Sequence, residues 1–196
     1  AAAIGNDSSK DGGYRRRKEG VSSGPRYAVL DDAARKEVND RFVAEEALLA
    51  AAVDADPTGA EAKMREVRDK LPIKKIREQL CEALKTNPVV VVSGGTGSGK
   101  STQCPQYILE DAIANGVGPD TRIVVTQPRR IAAVSVAERV AAERNERAGN
   151  SVGFSVRLHG CSPRDEGGSV EFVTTGVLLR RLMRDPGLRG ISHVMI

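Results

Sequence analysis

Tryptophan is absent from this 196-residue chain, and only three tyrosines and three phenylalanines supply aromatic rings. A protein that grips single strands by stacking bases on aromatic platforms needs more rings, so that mode is disfavoured. Cysteine is scarce too. Cys81, Cys104 and Cys161 are odd in number, far apart and form no Cys-x-x-Cys pair, which argues against a disulfide framework. With only His159 and His193 to join them, a zinc cluster is disfavoured as well. The expected setting is intracellular and reducing: nucleus or cytoplasm, with the mitochondrion left open. No apolar run approaches the roughly 18 residues of a membrane helix, and no signal-peptide core lies near the start. No membrane partner is expected. Because the first residue is Ala1 and not Met, the chain is expected to belong to something longer.

Charge is present but uneven. Residues 1–70 carry a net −1, whereas residues 71–196 carry a net +5. A basic excess in the later part suits a polyanionic partner. On charge alone, a mildly basic surface with no partner remains equally open.

Composition divides the chain. Residues 1–28 are rich in Gly, Ser, Asp and basic residues without apolar periodicity, and read as a disordered lead-in. Within it, Arg15-Arg16-Arg17-Lys18 reads first as a solvated charge cluster, with a localisation or polyanion-binding patch as the alternative. Residues 29–70 read as a helical extension. Val38, Phe42, Leu48 and Leu49 recur at helical spacing, and Asp56-Pro57-Thr58-Gly59 makes a turn from which Thr58 could cap a second helix. Leu71-Pro72 opens a third helix with Ile73, Ile76, Leu80 and Leu84 on one face.

Then the period changes. Val89–Val92 is wholly apolar and β-branched, the pattern of a strand buried on both faces. Helices are expected over 100–115, 131–147 and 176–184. Strands are expected over 122–126, 152–158, 170–174 and 192–196. This alternation predicts an α/β fold with a parallel sheet and right-handed crossovers.

Between the Val89–Val92 run and the next helix lies Gly94-Gly95-Thr96-Gly97-Ser98-Gly99-Lys100-Ser101, a complete GxxxxGK[ST] phosphate loop. Its glycines let the backbone turn tightly and aim successive amides at phosphate oxygens. The helix that follows adds the positive end of its dipole. Lys100 would reach the β- and γ-phosphates, and the Ser101 hydroxyl would ligate Mg²⁺; these two are the catalytic candidates. Thr102 is placed to touch the α-phosphate. The loop alone defines a P-loop nucleotide binder of any class, nucleotide kinases included.

The segments after the loop narrow the class. Gly94–Gln103, Thr126-Gln127-Pro128-Arg129-Arg130 with Ile131-Ala132-Ala133, Ser135–Ala141, Val152–Arg157 and Thr174–Arg180 occur in order. Together they resemble the DEAH/RNA-helicase-A family of superfamily 2 from about Leu71 to Ile196. That resemblance implies a P-loop NTPase with a RecA-like parallel sheet, an incomplete first lobe behind an α-helical extension. It implies ATP and Mg²⁺ as cofactors, and an ATP-driven 3′-to-5′ RNA helicase or ribonucleoprotein remodeller, with protein cofactors, as the parent. Arg129, Arg130, Arg157 and Thr174 would grip the RNA sugar-phosphate backbone without reading bases. Arg139 would stack on the adenine, a sound cation–π arrangement, although the helix pattern alone equally permits a surface arginine.

Two positions depart from the family pattern: Gly95 and Thr175 stand where an acidic residue is usual. Neither removes a phosphate ligand. Residues 191–196 resemble the strand that leads into the family's DExH box, so the lobe is expected to stop short of that box. On that expectation the segment binds nucleotide without hydrolysing it. The rival readings are another P-loop enzyme and a non-catalytic RNA-binding or assembly factor built on a helicase-like lobe.

Overall fold

The computed structural model describes residues 31–164 and 168–196. The expected lead-in, with the Arg15–Lys18 cluster, lies outside the described residues. The chain enters as helix α1 (Asp32–Ala55), begun by Asp31, whose carboxylate accepts from Ala34 N at 2.8 Å and so fills one unpaired helix-end amide. Val38 and Phe42, one turn apart, are buried, whereas Leu48 faces solvent. The apolar stripe is therefore shorter than the sequence spacing suggests.

Helix α2 (Ala60–Asp69) follows. Gly59, not Thr58, occupies its N-cap, and no side chain caps it. Thr58 instead gives both its amide and its hydroxyl to Asp56 Oδ1, at 3.1 and 2.9 Å. The aspartate outcompetes the helix end because it sits two residues away in an Asx turn. A 3₁₀ turn over Pro72–Ile76 leads into α3 (Arg77–Thr86), and Ile73, Ile76, Leu80 and Leu84 join one apolar cluster with Cys104 and Tyr107.

The Val89–Val92 run is not a strand. Val90 and Val92 pack against that cluster, while Val89 and Val91 are 78% and 88% exposed. The reason is local. A strand buried on both faces needs a hydrogen-bonded neighbour and cover on each side, and here cover exists on one side only.

Beyond the glycine-rich loop come α4 (Lys100–Ala114), β1 (Arg122–Gln127), α5 (Arg130–Glu143), β2 (Val152–Val156), β3 (His159–Cys161), β4 (Ser169–Thr174), α6 (Thr175–Arg184) and β5 (His193–Met195). The sheet order is β3-β2-β4-β1-β5. Every pairing is parallel except β2 with β3, a hairpin that the sequence reading merged into a single strand over 152–158. Helix α5 ends at Glu143, one turn before the expected Arg147. In the β1–β4 register, Gln127 lies opposite Thr174, so the two strands finish level.

The main core joins Ile123, Val125, Phe154, Val170 and Phe172 of the sheet to Ala133, Ala137 and Val140 of α5 and Leu109 and Ile113 of α4. Val38 and Phe42 belong to the same cluster. The segment before the phosphate loop is thus packed into the α/β unit. On the opposite face α6 is pinned by a bidentate pair: Arg181 donates through both Nη atoms to the buried Glu171 carboxylate at 2.7 Å. Among the described residues, no helix is long and apolar enough to cross a membrane.

Candidate nucleotide and nucleic-acid site

The glycine-rich segment folds as a tight loop that empties into α4. Gly97 and Gly99 take φ of +78° and +94°, the left-handed region where only a residue without Cβ sits unstrained. At Gly99 the lack of a side chain is doubly required, because a Cβ there would stand 3.0 Å from both Ile73 Cγ2 and Leu71 Cδ1. Those two side chains come from the turn preceding α3. That turn also holds the loop through its backbone, Ile73 N donating to Ser98 O at 3.2 Å.

Lys100 bends back over the loop it terminates. Its ammonium donates to Gly94 O at 2.6 Å, Gly95 O at 2.8 Å and Ser98 Oγ at 3.3 Å. The loop is thereby wrapped around one positive charge at a helix N-terminus, where unpaired amides add their own partial charge. Ser101 is exposed in the first turn of α4. Thr102 donates its hydroxyl to Gly99 O at 3.2 Å. Gly94, Gly95, Thr96, Gly97, Ser98, Gly99, Lys100, Ser101 and Thr102 thus run consecutively through the loop into the first turn of α4.

These residues fit a nucleoside triphosphate with Mg²⁺. Nothing stands within 4 Å of where a Gly95 or Gly97 Cβ would be, so phosphate oxygens can approach the backbone closely. The amides and the ammonium suit an anion, and the hydroxyl oxygen of Ser101 suits a hard cation.

Behind the loop lies a polar network that sequence reasoning did not assign. Gln103 and Gln106, both fully buried on α4, donate through Nε2 to Glu143 Oε2 at 2.8 and 2.7 Å. Arg139 Nε donates to the other oxygen, Glu143 Oε1, at 2.7 Å. Arg68, from α2, donates through Nε to Gln103 Oε1 and through Nη2 to Glu110 Oε1, each at 2.9 Å. Arg77 reaches Glu110 Oε2 at 3.0 Å and lies over the Tyr107 ring, 5.1 Å from its centroid. Two glutamines three apart on a helix whose remaining inward positions are apolar were the signal. Burial also pushes the neighbouring Cys104 thiol up to about 11, so it stays protonated at neutral pH.

The proposed nucleic-acid contacts fall together at one edge. Arg129 and Arg130 follow the carboxyl end of β1, Thr174 ends β4, and Arg157 follows β2. These are three adjacent parallel strands. Arg129, Arg130 and Arg157 are exposed. Arg157 leads into Leu158, which takes φ +66° at the β2–β3 turn. Arg139 lies apart from this group, half-exposed on α5 beside the network behind the phosphate loop.

A mostly parallel α/β sheet, with a GxxxxGK[ST] loop at the N-terminus of a helix packed on it, defines a P-loop nucleotide-binding lobe of RecA-like form. No family model matches the chain. It is 54% identical over 134 residues to the DExH-box ATP-dependent RNA helicase DExH3 of Arabidopsis thaliana, covering 68% of this chain and 11% of that protein. It is 46% identical over 136 residues to the ATP-dependent DNA/RNA helicase DHX36 of Homo sapiens, covering 68% of this chain and 13% of that one. Among solved structures, the Escherichia coli DEAH/RHA helicase HrpB superposes with a TM-score of 0.56 at 37% identity, over 64% of this chain and 15% of that one. The shared segment belongs to the DEAH/RNA-helicase-A family, as its motifs suggested. The chain spans only about an eighth of the curated relatives' length.

Proposed function

We propose that this chain binds ATP and Mg²⁺ through its phosphate loop, as part of an enzyme that couples ATP hydrolysis to 3′-to-5′ movement along RNA. Lys100 takes the β- and γ-phosphates, Ser101 takes the metal, and the amides from Gly95 to Gly99 surround the phosphate tail. Bound Mg²⁺, held by the Ser101 hydroxyl, would supply positive charge against the negative charge that develops on the phosphates. Arg139 faces the base, and its contact by stacking predicts tolerance of other purines.

RNA lies across the carboxyl edge of β2, β4 and β1, held by Arg129, Arg130, Arg157 and Thr174. Guanidiniums and a hydroxyl contact phosphate and ribose, so they position a strand without reading its sequence. Ribonucleoprotein remodelling, with protein cofactors, is the biological task this chemistry serves.

One observation carries the reading. The Lys100 ammonium is clasped by the loop it ends, and positive φ at Gly97 and Gly99 curves that loop around it. The test is ATP turnover by a protein of the relatives' length that carries this segment. Single-stranded RNA should raise its ATPase rate at least tenfold. RNA-independent turnover would favour another P-loop enzyme, and RNA binding without any turnover would favour a non-catalytic factor.

A further inference from the structure

We propose that Glu143 is a positioning residue of the nucleotide site, setting the guanidinium plane of Arg139 and tying it to Thr102 of the phosphate loop. The inference rests on the nucleotide-site reading above and deepens it.

Glu143 is the last residue of α5, and its side chain is 2% exposed. A carboxylate that deep is tolerated only with a full set of donors. It has them from three helices: Arg139 on Oε1, Gln103 and Gln106 on Oε2, and the charge of Arg68 at 3.8 Å. The division between its oxygens is informative. Oε2 already draws two amides and lies near the partly buried Arg68 cation, which suffices to join α2, α4 and α5. Oε1 takes Arg139, whose side chain stays 48% exposed. What that bond supplies is orientation: a long side chain held through Nε has surrendered its rotamer freedom before a base arrives.

The other arm runs to the phosphates. Gln103 Nε2, which serves Glu143, also donates to Thr102 Oγ1 at 3.0 Å, and that hydroxyl donates to Gly99 O. An unbroken hydrogen-bonded path therefore links Arg139, Glu143, Gln103, Thr102 and the loop backbone. Base end and phosphate end are held in one register.

The test compares two ligands, MgATP and inorganic tripolyphosphate with Mg²⁺, by calorimetry on the 196-residue chain. Arg139→Ala and Glu143→Gln should each weaken ATP about tenfold, the scale of one desolvated cation–π contact. Tripolyphosphate affinity should stay within about twofold, and the double variant should bind ATP no more weakly than Arg139→Ala alone. Glu143→Asp keeps the buried charge but retracts it from Arg139, so it should show the same ATP-selective loss even where Glu143→Gln fails to fold.

Equal weakening of both ligands, or additive losses in the double variant, would overturn the positioning role and make Glu143 structural support. Unchanged ATP affinity in Arg139→Ala would overturn it too while leaving the loop reading intact. Failure of the loop reading shows separately, as Lys100→Ala leaving both ligands unaffected.

Discussion

Gly99 lies directly beneath Ile73: a methyl group on its Cα would sit 3.0 Å from Ile73 Cγ2, in a backbone conformation of φ +94°. The turn before α3 is thus the floor of the phosphate loop. Gly99→Ala should cost about 1–2 kcal/mol from the left-handed conformation alone, and more from the collision. Gly97→Ala carries the strain without the collision, since nothing stands within 4 Å. Denaturant melts should rank Gly99→Ala as the less stable of the two. Equal stabilities would contradict the packing described.

Phe42 is 1% exposed and belongs to the same cluster as Ile123 and Phe172 of the sheet. Phe42→Ala should therefore destabilise the α/β unit by about 3–5 kcal/mol, the usual cost of an aromatic cavity. Thermal unfolding should remain a single transition at lower temperature. If helix α1 melted separately and left the sheet unchanged, the segment before the loop would be an independent appendage.

How much of this was legible beforehand depends on which interactions decide each element. The loop's turn and its entry into α4 were legible, because its glycines act through the backbone and its lysine and serine stand at fixed spacing from them, although the strand expected before it is absent. Helices α4 and α5 and strands β1 and β4 also followed from local pattern. The Val89–Val92 run did not, because strand formation depends on neighbours that a composition of four valines cannot report. The β2–β3 hairpin was hidden for a related reason: its turn uses Arg157 and Leu158 in place of glycine or asparagine. The network on Glu143 was least legible. Arg68, Gln103 and Glu143 are far apart in sequence, and only tertiary packing brings them to one carboxylate.

Arg130 and Arg157 follow β1 and β2, the two strands that flank β4, and contact the RNA strand's phosphates in the proposed function. Each alanine substitution should weaken binding to single-stranded RNA regardless of sequence. It should also lower the slope of log affinity against log salt by about 0.7, the value for one contact on a single strand. Filter binding across a salt series on homopolymers measures both. An unchanged slope would place these arginines off the RNA path.

His193 offers a pH handle at β5. His193 Nδ1 is hydrogen-bonded to Ser192 Oγ at 2.9 Å, and that same oxygen lies 3.0 Å from Arg122 O. Burial holds the imidazole below its usual value, which means the folded state favours the neutral ring. Stability from this site is complete above the unfolded value of about 6.5 and is lost as pH falls from there toward the lower folded value. Compared with His193→Gln, the native chain should lose melting temperature more steeply as pH falls below about 6.5. Parallel pH profiles would show that the ring is not desolvated.

The central claim is that the Gly94–Ser101 loop and the Lys100 ammonium hold a triphosphate, and direct calorimetry of MgATP on the native chain and on Lys100→Ala tests it most directly. The account predicts saturable one-to-one binding that weakens at least tenfold in Lys100→Ala, with the melting temperature within about 2 °C of the native value. Equal affinity in the two proteins, at equal stability, would contradict it.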